Sequence, residues 1–421
     1  MNRFGTNASN QISFKERGDA IINLPANERI QIIDIIRGIA ILGILFVNMS
    51  FYSSSLMAIS LQVELWQGFW NKSAELFRNI FIDGKFINIF SFLFGFGMIL
   101  FKEGAIAKGR RFIPLFSRRL IALFLFGLIH GWFIWYGDIL LHYAVLGFFL
   151  LLFHKCKPRT LLIWSILLLS LLPIVILMSG NAGMPASSDL SRMGQEAMKH
   201  DTAIYGSGSF IAIQNQRFID WNSTLINQIL FYPRILGMFL LGSYFAKRKI
   251  LHNISGHLRL VKNICKCTGL FGFGLIMLGV FTQYSSNPVI AGWHDFLFVL
   301  GMLVGSPLLA LFYITFFALL FQKENWKRRL LPFSFVGKMA FTNYIAQSVI
   351  CTLIFYSYGL GLYGKVGTFA GLWLALGIYI LQLIVSRLWL QKYQMGLLEW
   401  IWRILTYLRV SPLKYPNKHN R

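Results

Sequence analysis

Long apolar runs recur along this chain from Ile35 to Leu390, and short basic clusters separate them. A run of about 20 apolar residues crosses the hydrocarbon core of a bilayer when it forms an α-helix. A helix also satisfies its own backbone hydrogen bonds, which lipid cannot do. Only 13% of the residues are charged, compared with about 25% in soluble domains. The sequence therefore predicts an all-α fold, a polytopic transmembrane helical bundle forming one membrane domain.

Ten stretches have about the length and composition of a spanning helix. They are residues 32–54, 80–101, 120–136, 138–153, 160–179, 226–246, 268–284, 295–320, 334–357 and 366–390. The third and fourth stretches are short and are joined by Tyr136, Gly137 and Asp138. This spacing predicts a tight helical hairpin whose turn lies at the outer surface.

The distribution of basic residues predicts the orientation of the spans. Lys and Arg collect in the cytoplasmic loops of membrane proteins. With strictly alternating spans, the inside segments hold 30 Lys and Arg and the outside segments hold seven. We therefore expect both termini to be cytoplasmic. The net charge of +24 does not indicate a nucleic-acid partner, because the basic residues do not share one face; the expected partner is the lipid bilayer.

The spans divide the chain into five regions. A cytoplasmic segment (1–28) precedes five spans (29–179), an extracytoplasmic loop (180–225), five further spans (226–390), and a cytoplasmic interfacial helix with a basic tail (391–421). Residues 1–28 lack the apolar core of a cleavable signal peptide, so the first span is expected to direct insertion. The four cysteines have no metal-ligand spacing, and no metal site is expected.

The predicted hairpin carries the best candidates for acid–base chemistry. His130 and His142 flank its turn on neighbouring antiparallel helices, and Asp138 lies in the turn itself. A histidine exchanges protons near neutral pH and is the commonest general base. We expect both rings to face one cavity, with Asp138 orienting the outer ring, His142. The alternative is that each ring only bonds to a neighbouring helix.

Other polar residues within the spans are candidates for ligand binding, since such residues are costly in lipid. Near the inner end, Arg37 and Lys338 form either a basic pocket for a phosphate or, in the case of Arg37, an ion pair with Asp34 three residues away. Toward the outer end lie Asn48 and Arg234.

Span nine carries a polar stripe that includes Asn343, Gln347 and Ser348. Such a stripe either joins helices or lines a wet cavity. Asn343 and Gln347 are therefore candidate ligand contacts, and the sequence leaves both readings open.

Four motifs resemble those of the YeiB-like bacterial inner-membrane proteins, whose C-terminal part is known as domain of unknown function 418. They are Arg29-x4-Asp34-x2-Arg37-Gly through Asn48, Phe126-Gly-Leu-Ile-His130 with Gly137-Asp-Ile-Leu140, Gly337-Lys-Met-Ala-Phe-Thr-Asn-Tyr-Ile-Ala-Gln-Ser348, and Gly396-x2-Glu-Trp-x-Trp-Arg403-x2-Thr-Tyr407. The Asp-x2-Arg-Gly opening is also similar to that of transmembrane acyltransferases, including the heparan-glucosaminide acetyltransferase group.

The resemblance implies a multi-pass protein of the bacterial cell (inner) membrane with an acyltransferase-like activity. It implies acyl-CoA as a co-substrate, no tightly bound cofactor, and an envelope glycan, lipid or small molecule as the acceptor. Two alternatives from other classes remain, a transporter or exporter of a small anionic solute and a non-enzymatic partner in envelope assembly.

The charge distribution yields a direct test of topology. A reporter enzyme that is active only outside the cytoplasm should be active when fused after Ser188 and silent when fused after Arg421. Measured activity at both positions, or at neither, would contradict the arrangement of ten spans.

Overall fold

The computed structural model describes residues 26–61, 63–179, 187–283 and 294–415. Within these ranges the regular secondary structure is helical, apart from one isolated bridge between Tyr393 and Lys414. The helices are α1 (Ala26–Ser53), α2 (Leu56–Ser60), α3 (Phe69–Phe81), α4 (Lys85–Ala107), α5 (Phe112–Ile129), α6 (Leu140–Leu152), α7 (Pro158–Ser179), α8 (Ser187–Ser207), α9 (Phe210–Ile229), α10 (Tyr232–Lys247), α11 (Leu258–Gln283), α12 (His294–Leu300), α13 (Ser306–Phe321), α14 (Glu324–Lys338), α15 (Ala340–Phe355), α16 (Thr368–Lys392) and α17 (Leu397–Tyr407).

The predicted all-α membrane fold is confirmed. Among the described residues, seven helical stretches are long and apolar enough to cross a membrane. The pair α9 and α10, bent by 63°, passes the same test as one unit. The predicted spans four and nine correspond to the shorter apolar helices α6, of 13 residues, and α15, of 16 residues. A helix thus lies at each of the ten predicted positions, while the number of crossings and the side of each terminus stay predictions.

Much of the predicted loop 180–225 is helical. It contains α8 and most of α9. Its Ser, Gly, Asn and Gln residues obscure a helical pattern in which Ile213, Arg217 and Trp221, four residues apart, are all buried on one face. This face packs on the end of the hairpin, since Arg217 Nη1 donates to the carbonyl of Phe133 at 2.6 Å.

Glycine permits a very close helix crossing, that of α1 with α14. A Cβ on Gly38 would overlap the carbonyl oxygen of Phe333, and a Cβ on Gly337 would overlap that of Asp34. The two backbones are therefore in contact, and this crossing brings Arg37 beside Lys338, each next to one of the glycines. Gly95 of α4 and Gly242 of α10 form a second crossing of the same kind.

We expect Gly337→Ala to destabilise the protein because neither backbone can move away without breaking the crossing. Overpacking of this kind typically costs about 1–3 kcal/mol. The measurement is the midpoint of thermal unfolding in detergent. Gly377→Ala is the matched control, since a Cβ there meets no atom within 4 Å and alanine favours the helix. An equal midpoint for both variants would show that the crossing tolerates a side chain.

Candidate active site

One face of α1 lines two cavities in succession. Arg37, Ile41 and Ile44 line the first cavity, and Ile44 and Asn48 line the second. Their spacing of four, three and four residues places all four on one helical face. Arg37 and Ile44 are seven residues apart, or about 10 Å along the axis. We name the cavities inner and outer after the predicted orientation of α1.

The inner cavity has a volume of about 600 Å³ and a mixed lining. Its charged residues are Arg37, Arg119, Lys338, Arg403 and Glu399, and most of the remaining lining is aliphatic or aromatic. The predicted pair of Arg37 and Lys338 is thus brought together. Arg37 also bonds through Nη1 to Asp34 at 2.8 Å and to the carbonyl of Gly337 at 3.4 Å. The ion pair and the basic pocket, offered as alternatives by the sequence, coexist.

Helix α17 forms one wall of the inner cavity. The Glu399 carboxylate accepts hydrogen bonds from the backbone amides of Phe341, at 2.7 Å, and Thr342, at 3.1 Å. It thereby caps the first turn of α15, a favourable place for a negative charge. Burial raises the pKa of Glu399, and these hydrogen bonds act in the opposite direction. The Trp402 indole donates to the carbonyl of Arg119 at 2.8 Å and lies 3.6 Å beneath its guanidinium group.

The outer cavity is smaller, about 240 Å³, and contains the predicted residues Asn48 and Arg234. Arg234 Nε and Gln228 Oε1, also from its lining, are buried and have no hydrogen-bond partner among the described residues. Unpaired buried polar atoms are rare in folded proteins. The outer cavity therefore offers one donor and one acceptor to a ligand.

The two cavities share a wall made of Ile44, Ile139 and Tyr344. The Tyr344 hydroxyl donates to the carbonyl of Gly137 at 3.3 Å, which holds the ring against the hairpin turn. On its other side the ring centroid lies 5.2 Å from that of His130. One aromatic side chain thus borders the inner cavity, the outer cavity and the candidate base.

His130 is the centre of a buried hydrogen-bonded chain. Its Nδ1 lies 2.8 Å from Asp138 Oδ1, and its Nε2 lies 2.9 Å from Ser348 Oγ. Ser348 Oγ lies 2.8 Å from the hydroxyl of Tyr52. All four residues are at most 1% exposed. Because the Asp138 carboxylate only accepts, Nδ1 carries the proton and Nε2 is the acceptor, an assignment made from the network.

The local sequence explains why Asp138 is held there. Its second oxygen, Oδ2, accepts from the backbone amide of Leu141 at 2.8 Å, so Asp138 caps the start of α6. Gly127 lets α5 approach this turn, since a Cβ on it would meet the Leu141 amide and Asp138 Oδ2. A π-helical turn over His130–Ile134 then ends the α5 segment. The short hairpin predicted from sequence thereby aims His130 at Asp138.

His142 belongs to a different network. Its Nδ1 lies 2.8 Å from the hydroxyl of Tyr232 on α10, and its Nε2 has no partner among the described residues. The expectation that Asp138 orients His142 is wrong, because the His142 ring bonds to Tyr232, whereas the hydrogen bonds of Asp138 go to His130 and to the amide of Leu141. Neither ring lines the inner or the outer cavity, so these two cavities are not the common cavity that we expected.

Asn343 and Gln347 join helices α15 and α16. Asn343 Nδ2 donates to Ser386 Oγ at 3.0 Å, and Gln347 Nε2 donates to Gln382 Oε1 at 2.8 Å. Gln382 Nε2 returns a bond to the carbonyl of Asn343 at 2.9 Å. Neither Asn343 nor Gln347 lines the two cavities. These contacts favour the interpretation that the polar stripe joins helices over the interpretation that it lines a wet cavity.

The sequence placed Ser348 and Tyr344 within the polar stripe without assigning either a role, and it did not indicate Tyr52 or Arg119 as site residues. Ser348 and Tyr344 share the stripe, four residues apart, so the stripe was the available signal. Nothing in the local sequence distinguishes Tyr52 or Arg119 from the other aromatic and basic residues near span ends. Their roles depend on contacts with helices distant in sequence.

The helices and their buried polar contacts define a multi-pass α-helical membrane protein. A family model described as protein of unknown function (DUF418) matches residues 245–409. The chain is 40% identical over 408 residues to uncharacterized protein YxaH of Bacillus subtilis (strain 168), covering 93% of this chain and 98% of that protein. It is 28% identical over 402 residues to uncharacterized protein YeiB of Escherichia coli (strain K12), covering 91% and 98%. The chain belongs to this YeiB-like family, and the resemblance of its motifs to the YeiB-like proteins is confirmed. The similarity to transmembrane acyltransferases stays a prediction.

Proposed function

We propose that the protein is an acyltransferase of the bacterial inner membrane, which moves an acyl group from cytosolic acyl-CoA to an acceptor in the outer cavity. The observation that carries the proposal is the alignment of two cavities along α1, with His130 behind their shared wall at Tyr344. The acceptor is an envelope glycan, lipid or small molecule. The donor is a co-substrate, and the reaction needs no tightly bound cofactor.

The lining of the inner cavity suits an acyl-CoA molecule. Its four cations, Arg37, Arg119, Lys338 and Arg403, outnumber the one carboxylate, that of Glu399. Glu399 is already engaged by amide donors of α15. Arginine pairs with phosphate through two parallel hydrogen bonds, which suits the phosphates of CoA. The apolar remainder of the cavity suits the pantetheine arm and the acyl chain.

His130 has the geometry of a general base. Asp138 holds the Nδ1 proton, so the lone pair of Nε2, which faces Ser348 Oγ, is the one that can accept a proton. In the transfer, Nε2 takes the proton from the group that attacks the acyl carbonyl. The bond from that carbon to the leaving group then breaks, and the imidazolium returns the proton to the leaving group. Asp138 stabilises the imidazolium without becoming protonated.

The role of the basic pocket is tested by Arg37→Lys. Lysine keeps the charge but loses the fork that binds phosphate at two points. We expect the affinity for CoA, measured by equilibrium binding to protein in nanodiscs, to fall about tenfold or more, because a hydrogen bond to a charged group contributes about 1.5–3 kcal/mol. Arg409→Lys, on an exposed residue outside both cavities, is the control. Unchanged CoA affinity in Arg37→Lys would remove Arg37 from phosphate binding.

The role of the histidines is tested by comparing His130→Gln with His142→Gln. Glutamine retains hydrogen bonding but cannot exchange the proton, so His130→Gln should lower the rate of acyl transfer by about 10²–10⁴-fold. His142→Gln should keep that rate, since His142 contacts Tyr232 and not Asp138. The measurement is transfer of label from acetyl-CoA to extracted envelope lipids and glycans, with thermal unfolding as the folding check. Equal rates of acyl transfer by the wild type and His130→Gln would exclude His130 as the general base.

A second function, export of a small anionic solute, is favoured by one observation. Arg234 Nε is buried in the outer cavity without a hydrogen-bond partner among the described residues, and this cavity lies next to the cationic inner cavity along α1. An exporter needs no acyl-CoA and no base, so it predicts solute efflux that survives His130→Gln. Efflux with full activity in that variant, together with no acyl transfer by the wild type, would favour export.

A further inference from the structure

The hydroxyl of Ser348 occupies the position of a nucleophile in the buried chain. It lies 2.9 Å from His130 Nε2, and the opposite ring nitrogen lies 2.8 Å from Asp138. A serine, a histidine and a carboxylate joined in this order form the constellation that activates a hydroxyl for acyl chemistry on unrelated folds. The three residues come from α15, from the π-helical turn after α5, and from the turn before α6. Only the packing of the helices brings them together.

We propose that Ser348 carries the acyl group as a covalent ester between the inner and the outer cavity. The inference rests on the proposed acyltransferase function and adds its intermediate. Ser348 lies behind the shared wall, one helical turn from Tyr344 on the same face of α15. Because Ser348 lines neither cavity, the transfer requires the Tyr344 ring to move aside and admit the acyl carbonyl to the hydroxyl of Ser348. CoA then never has to pass the wall, and only the acyl group does.

The reaction has two balanced halves. In the first, Ser348 Oγ attacks the thioester carbonyl, its proton passes to His130 Nε2, and the carbon–sulfur bond breaks. The CoA thiolate leaves and takes that proton, so CoA is released as the thiol. In the second, an acceptor hydroxyl attacks the ester and gives its proton to His130. The bond from the acyl carbon to Ser348 Oγ breaks, and the proton returns to that oxygen.

Tyr52 serves as a positioning residue for this nucleophile. Its hydroxyl lies 2.8 Å from Ser348 Oγ, and it is fully buried on α1. When Tyr52 donates to Ser348, the serine proton is left to point at His130 Nε2. The same contact ties α1 to α15, so a purely structural role for the chain is the competing explanation, and the experiment has to separate the two.

The test uses the full-length protein in nanodiscs, radiolabelled acetyl-CoA or palmitoyl-CoA, and no acceptor. We expect label to remain on the protein, and mass spectrometry to place the acyl mass on the peptide that contains Ser348. Ser348→Ala and His130→Gln should each abolish this label, and each should reduce transfer to extracted envelope lipids and glycans by about 10²–10⁴-fold. The double variant should lose no more than either single variant, because residues of such a unit act together.

Ser165→Ala is the matched control, since Ser165 is equally buried and donates to the carbonyl of Gly237 at 2.8 Å, outside both cavities. Should Ser348→Ala fail to fold, Ser348→Cys preserves the position of the nucleophile. Its label should be a thioester that hydroxylamine removes at neutral pH, unlike the wild-type ester.

The outcomes separate this inference from the proposed function. Transfer by Ser348→Ala at the wild-type rate, combined with loss in His130→Gln, would mean direct transfer to the acceptor; it would overturn the acyl-serine and leave the acyltransferase intact. Acyl label on another residue of the wild type would also overturn it. If the wild type neither transfers the acyl group nor becomes labelled with acetyl-CoA or palmitoyl-CoA, both the acyl-serine and the proposed acyltransferase function are rejected.

Discussion

Lipid offers no hydrogen bonds, so a polar side chain inside this bundle needs a partner within the protein, either on its own helix, as Thr315 has in the carbonyl of Leu311, or on another helix. The interior meets this constraint by pairing groups across helix contacts, as Gln347 does with Gln382 and as Tyr379 does with the carbonyl of Gly38. The glycine crossing of α4 with α10 brings another such contact within range, since Ser243 Oγ donates to the carbonyl of Gly95 at 2.9 Å. Helix packing and the pairing of buried polar groups therefore depend on each other here, and helix propensity alone would not determine either.

Against this background, the polar atoms that stay unpaired are informative. Among the described residues, Arg234 Nε and Gln228 Oε1 in the outer cavity have no hydrogen-bond partner, and neither has His142 Nε2 on α6. The His130 chain differs, because every one of its members is paired. A fully paired chain is rigid, which an acid–base site requires, and its direction from Tyr52 to Asp138 sets which nitrogen of His130 accepts a proton. The rigid hydrogen-bonded chain thus lies near the outer cavity, whose polar atoms remain available to bind a ligand.

The sequence predicts the helices well and their partners poorly, and the reason is physical. Apolar length and basic clusters are local properties, so a helix lies at each of the ten predicted positions, including the short α6 and α15. Pairing is not local. Asp138 is four residues from His142 and eight from His130, yet the π-helical turn directs it to His130. Likewise, Glu399 was expected on an interfacial helix, and its role as a cap of α15 depends on a residue 58 positions away.

The shared wall between the cavities bears on what can cross it. Ile44, Ile139 and Tyr344 carry no charge, whereas four cations line the inner cavity and a single one, Arg234, lines the outer cavity. Moving CoA past this wall would strip its phosphates of both water and arginine, at a penalty of several kcal/mol for each charge. An acyl group is uncharged and carries no such penalty. A wall of this composition therefore opposes passage of the whole donor while it permits passage of the acyl group, which is the division that an acyl carrier at Ser348 would exploit.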